Sequence, residues 1–163
     1  MMEPNARLLV VEDEAADTRI ILLALRAAGV VHEVMTVADG KEALDYLYRR
    51  GDFADRVSPQ PALVLLDLKM PRVDGFGVLE AAKQDAALRE IPVVVLTSSR
   101  EERDLATAYA LGVDGYVVMP MGFDACATVL GAVCRFWLDV NEAPPVCKGR
   151  ISRPEPAEKE SRR

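Results

Sequence analysis

The sequence predicts an α/β fold of three layers, a doubly wound parallel sheet of five strands in the order 2-1-3-4-5 with helices on both faces. Three observations predict it. Short apolar runs alternate with amphipathic stretches along the chain, as strands and helices do around a parallel sheet. The runs RLLVV, ALVLL and IPVVVL are nearly continuous in Val, Leu and Ile, which suits strands covered on both faces. The chain has 163 residues, half of them hydrophobic, enough for a single core of ordinary size.

The elements follow in order. Arg7–Val11 reads as the first strand, and Ala16–Ala28 places apolar residues every three or four positions before stopping at Gly29. Glu33–Val37 is a weaker strand, followed by a helix over Gly40–Arg50 that ends at Gly51. Asp52–Pro61 (DFADRVSPQP) is longer than this architecture needs, and its charge and prolines make it a surface loop. Ala62–Leu66 leads to a helix over Gly75–Gln84. Ile91–Leu96 leads to a helix over Glu101–Leu111 that stops at Gly112, and Tyr116–Val118 leads to a long last helix over Phe123–Val140. In that helix Cys126, Val129, Leu130, Val133, Phe136, Trp137 and Val140 follow helical spacing, and most of them should cover the sheet. Phe136, Trp137 and Leu138 together make more apolar surface than one helix face needs, so a partner is expected to cover the surplus. The domain is expected over 5–141, and 142–163 is a Pro-containing extension with a mobile polar end. Only 23 residues follow Val140, too few for a DNA-binding or enzymatic module.

The formal charge of −6 is unevenly placed: Lys148–Arg163 carries +3 and residues 1–147 carry −9. An acidic body argues against nucleic acid as a partner, because duplex binding needs a basic patch. No apolar run is long enough to span a bilayer and no secretory signal is present, so a cytoplasmic protein away from membranes is expected. Cys126 and Cys134 lie about 12 Å apart along one helix axis, too far to pair, and read as reduced core residues. His32 is the only histidine and stands away from the acids, so it supports no histidine-based site.

The chemistry gathers at the strand ends. In an open parallel sheet, ligands sit beyond the carboxyl ends of the strands. Glu12 and Asp13 follow the first strand directly, Asp67 follows the third, and Thr97 and Ser98 end the fourth. Three carboxylates brought to one edge repel one another unless a cation intervenes, and an oxygen-rich cluster with room for water suits Mg²⁺. An aspartate beside such a metal can attack a phosphoryl group and form an acyl phosphate, and Asp67 is the candidate. The competing reading makes these acids solvated loop ends, with Asp13 capping the first helix.

VVEDE at 10–14, LLDLKMPRVDG at 65–75, VVLTSS at 94–99 and GYVVMP at 115–120 together resemble the receiver domain of two-component response regulators, which has the flavodoxin-like fold. The resemblance implies Asp67 as phosphoacceptor, with Glu12 and Asp13 as the acidic pair. It implies Mg²⁺ on Asp13, Asp67 and the Lys69 carbonyl, Thr97 as switch hydroxyl and Tyr116 as switch aromatic. It implies a relay component, not an enzyme. The long loop before the third strand, LREIPVVVLTSS, and the ending FWLDVNEAPP are similar to the small regulators that partner bacterial phytochrome histidine kinases. Such a kinase is therefore the expected phosphodonor, and a homodimer through the C-terminal helix and extension the expected assembly.

One position departs from the family pattern. Where the family has a lysine before the proline that follows the fifth strand, this chain has Met119. That favours an alternative, a pseudo-receiver that binds partners without being switched by phosphorylation; Lys69 is a candidate substitute cation. A haloacid dehalogenase-type phosphatase would need a second Asp where Lys69 stands, and a flavin phosphate would be repelled by Glu12, Asp13 and Glu14.

Overall fold

The computed structural model describes residues 7–70 and 72–145, so residues 5 and 6 of the expected domain and the basic tail from 146 onward, with Cys147, lie outside the described residues. The sheet has five parallel strands, β1 (Arg7–Val11), β2 (Glu33–Val37), β3 (Leu63–Leu66), β4 (Val93–Thr97) and β5 (Gly115–Val118), in the order β2-β1-β3-β4-β5. The five α-helices among the described residues are α1 (Ala15–Ala27), α2 (Gly40–Tyr48), α3 (Gly75–Gln84), α4 (Glu102–Ala110) and α5 (Phe123–Cys134).

Strand alternation divides the core in two. Leu9, Val11, Val64, Leu66, Val93 and Val95 face α2, α3 and α4. Leu8, Val10, Leu63, Leu65, Val94 and Leu96 face α1 and α5. Neighbouring residues on one strand thus enter opposite cores, which is why these runs are apolar throughout. Burial of each such side chain contributes roughly 1.5–3 kcal/mol.

Local chemistry sets the helix starts on the functional edge. Asp39 caps α2, its Oδ1 accepting the Glu42 N–H at 2.8 Å, while Glu42 Oε2 accepts the Ala38 N–H at 2.7 Å. Asp74 caps α3 by accepting the Gly77 N–H at 2.9 Å. Asp13 caps nothing: Glu14 holds the cap position of α1, and the side-chain oxygen reaching its N–H, at 3.1 Å, belongs to Glu12.

Two stretches differ in detail from the sequence expectation, and the expected surface loop over 52–61 is held by side-chain contacts. The helix α2 stops at Tyr48 because Arg49 adopts a left-handed conformation, φ 53°, before Gly51 is reached. The 52–61 loop is pinned: the Arg56 guanidinium lies 4.0 Å from the Tyr46 ring centroid and donates to the Tyr46 carbonyl at 2.8 Å and to Gln60 Oε1 at 2.7 Å. The last helix does run to Val140, but Arg135–Val140 is wound as a π-helix. Widening the turn lets Trp137 and Leu138 both pack on the sheet, and leaves Phe136 and Val140 exposed. His32, away from the acids as expected, holds Asp139 of this segment at 3.2 Å.

Candidate functional site

The acids converge as expected. Glu12 and Asp13 leave β1, whose last residue Val11 accepts the Asp67 N–H on its carbonyl at 3.0 Å, so the ends of β1 and β3 are tied together. One carboxylate oxygen from each of Glu12, Asp13 and Asp67 lies within 4.8 Å of the others. Among the described residues no lysine or arginine forms an ion pair with any of the three.

The loop that follows Asp67 is held against α3. The Gly75 N–H donates to the Leu68 carbonyl at 2.9 Å, and a Cβ on Gly75 would stand 2.2 Å from the Asp67 carbonyl oxygen. Only glycine admits this approach, which accounts for the Asp74-Gly75 pair closing the LLDLKMPRVDG segment.

Crowding and burial govern the electrostatics. Burial pushes Glu12 up to about 8, with the Glu14 N–H opposing and the Asp67 charge assisting. Burial also raises Asp67; the Lys69 and Leu68 N–H groups beside its carboxylate pull it down, and the charge of Asp13 pushes it further up. Both carboxyls are therefore held less acidic than a free carboxyl, and a cation at the cluster would oppose that shift. The donors are oxygens only, and Asp13, Lys69 and Asp74 border an open cleft of about 410 Å³ that leaves space for water. This donor set fits a hard divalent cation such as Mg²⁺.

A second cleft, of about 670 Å³, is lined by Asp67 together with Glu12, Thr97, Lys69 and Met119. Thr97 is buried; its Oγ1 accepts the Ser99 N–H at 3.1 Å, and its carbonyl accepts the Met119 N–H at 2.9 Å. Met119 is half-buried and packs on the α1–α5 core. Lys69 is exposed, and among the described residues it forms no ion pair. Tyr116 stands apart, against the opposite core, and its hydroxyl donates to the Ser99 carbonyl at 3.2 Å.

Two residues of this edge escaped the sequence reading. Ser99 Oγ donates to Asp104 Oδ2 at 2.7 Å, and Asp104 is buried, so the pair ties the loop after β4 to α4. In sequence Asp104 is one more acid in a helix's first turn, and the expected hydroxyl, Ser98, is the exposed one.

A family model, the response regulator receiver domain, matches residues 8–130. The chain belongs to this family. The receiver domain is 36% identical over 141 residues to the response regulator Rcp1 of Synechocystis sp., covering 86% of this chain and 95% of Rcp1. The phosphorylated cyanobacterial phytochrome response regulator RcpA shares its fold at a TM-score of 0.79 with 39% identity, over 86% of this chain and 99% of RcpA. The Mn²⁺-bound form of Rcp1 matches at a TM-score of 0.77 with 35% identity, over 85% of this chain and 99% of that one. No helix among the described residues is long and apolar enough to cross a membrane.

Proposed function

We propose that this receiver domain is a cytoplasmic phosphorelay component in which Asp67 accepts a phosphoryl group from a phosphohistidine of a sensor histidine kinase, a phytochrome kinase by the likeness to RcpA and Rcp1. The observation that carries the reading is the convergence of Glu12, Asp13 and Asp67, with Thr97 across the adjoining cleft. Asp13, Asp67 and the Lys69 carbonyl would hold Mg²⁺, with Glu12 beside them. When bound, the metal supplies positive charge against the phosphoryl oxygens.

The residues do the rest. A carboxylate oxygen of Asp67 attacks phosphorus in line; the P–O bond forms as the P–N bond to the donor imidazole breaks, and the imidazole leaves with the electron pair and takes up a proton. The Thr97 hydroxyl donates to a phosphoryl oxygen, and its movement, followed by that of Tyr116, carries the change toward α4 and β5. Tyr116 already bonds the Ser99 carbonyl in the loop beyond Thr97, so the two switch residues share a segment. Output leaves through protein contacts, with the chain paired as a homodimer.

The test is intact mass after incubation with Mg²⁺ and acetyl phosphate or a phosphorylated kinase. One added phosphoryl group, lost on Asp67→Asn, is the expected result. No mass gain from either donor would sink the phosphoacceptor reading and favour a pseudo-receiver.

A further inference from the structure

Among the α-helices of the described residues, α4 is the one with the least apolar burial. It buries only Asp104 and Ala108, whereas α1 buries Ile21, Ala24 and Leu25, and α2, α3 and α5 bury at least as many residues without a charge among them. A helix with so little apolar anchorage belongs to the less stable end of a fold, and its position depends on its polar ties.

Ser99 supplies such a tie, and three of its groups are engaged at once. Its N–H donates to Thr97 Oγ1 at 3.1 Å, its hydroxyl donates to Asp104 Oδ2 at 2.7 Å, and its carbonyl accepts the Tyr116 hydroxyl at 3.2 Å. The first and third of these are backbone groups; only the hydroxyl belongs to the side chain. Among the described residues, Ser99 Oγ is the one hydrogen-bond donor to the Asp104 carboxylate. A buried acceptor that lost its donor would be left unsatisfied, so Ser99 and the first turn of α4 hold together when either moves. Thr97 Oγ1 has two lone pairs and one hydrogen, and can keep the Ser99 N–H while donating elsewhere. A turn of the Thr97 side chain toward a group on Asp67 therefore pulls on Ser99.

We propose that Ser99 is a positioning residue that carries the movement of Thr97 to α4 through its hydroxyl and the buried Asp104. The inference deepens the proposed function and rests on Asp67 as phosphoacceptor. The arm to α4 is separable from the arm to Tyr116, because Ser99→Ala cuts the first and leaves the second, which is backbone. A static brace between loop and helix has a different consequence: its loss lowers stability without changing how α4 responds when the site is filled.

The experiment records amide NMR spectra of the full chain with Mg²⁺, with and without beryllofluoride, which mimics a phosphoryl group on Asp67. In the parent chain, beryllofluoride should shift the amides of Glu102–Ala110 and of Tyr116. Ser99→Ala should reduce the α4 shifts several-fold and preserve that of Tyr116, and Ser99→Thr, which keeps a hydroxyl, should restore them. Ser99→Ala combined with Asp104→Ala leaves no buried carboxylate unpaired, so it folds without that penalty and should show the same loss. Undiminished α4 shifts in either folded variant, an equal loss at Tyr116, or no rescue by Ser99→Thr would overturn the proposal. So would a parent chain whose shifts are absent or confined to the surroundings of Asp67. Phosphorylation of Asp67 is read separately by intact mass, so the phosphoacceptor reading can stand where this one falls.

Discussion

Two residues set the chemical character of the site, and both yield measurable consequences. Glu12 is raised from 4.5 to about 8 in the metal-free fold, chiefly by burial. The folded state therefore keeps a proton that the unfolded chain has lost, so Glu12's contribution to stability is full at low pH and falls as pH rises through about 8. Mg²⁺ needs the carboxylate charged, so near neutral pH its binding should release protons, and its affinity should climb until pH passes about 8. Calorimetry in buffers of different ionisation heat measures this; no proton release, or release unchanged in Glu12→Gln, would contradict the assignment. Met119 acts with the opposite sign on two quantities. A lysine ammonium there would offset one of three carboxylate charges, so Met119→Lys should weaken Mg²⁺ binding. The same ammonium is a preorganised donor to the transferring phosphoryl group, worth about 2.7–4 kcal/mol in comparable sites, so phosphorylation by acetyl phosphate at saturating Mg²⁺ should speed up by on the order of 100-fold. A variant that binds Mg²⁺ as tightly as before, or is phosphorylated no faster, shows that the charge argument fails.

At the scale of elements, the loop from Asp67 to Gly75 is the part on which the site depends. A Cβ at Gly75 would meet the Asp67 carbonyl at 2.2 Å and the Leu68 Cα at 2.6 Å, all backbone atoms that cannot swing aside. Gly75→Ala should therefore displace the loop and lower both Mg²⁺ affinity and thermal stability. Asp74→Ala removes only the cap on Gly77 and should cost about 1 kcal/mol with the metal site preserved. Similar effects of the two substitutions in thermal melts and Mg²⁺ titrations would show that the close approach is not what positions Asp67. This contrast also marks what was legible in the sequence. The strand order and the meeting of Glu12, Asp13 and Asp67 were, because apolar runs of buried parallel strands end in acids whose placement the topology dictates. The roles of Ser99 and Asp104 were not, since a buried acid in a helix's first turn has the same local pattern as an exposed one. The π-helical winding of Arg135–Val140 was not, because the choice between winding patterns is made by packing Trp137 and Leu138 on the sheet.

At the scale of the molecule, the last helix ends in exposed apolar residues, as α1 also exposes Ile20, Leu22 and Leu23. Phe136 and Val140 are 48% and 62% exposed, set outward by the same π-turn that turns Trp137 and Leu138 inward. His32 fixes this segment to the loop before β2 through Asp139, and Phe136 meets the Trp137 ring edge-on at 5.0 Å, so the exposed pair stands on a rigid base. A rigid apolar strip costs little entropy to bury, and a two-fold arrangement would set one strip against its copy. The body is acidic, however, with −9 over residues 1–147, so self-association works against charge repulsion and should strengthen as salt screens it. Light scattering across micromolar concentrations is therefore expected to give a dimer mass that persists or tightens at raised ionic strength. Phe136→Glu with Val140→Glu should yield a monomer whose melting temperature stays close to that of the parent, because both side chains are already exposed. A monomer mass for the parent chain at every concentration, or an unchanged dimer in the double variant, would remove the C-terminal helix as the interface.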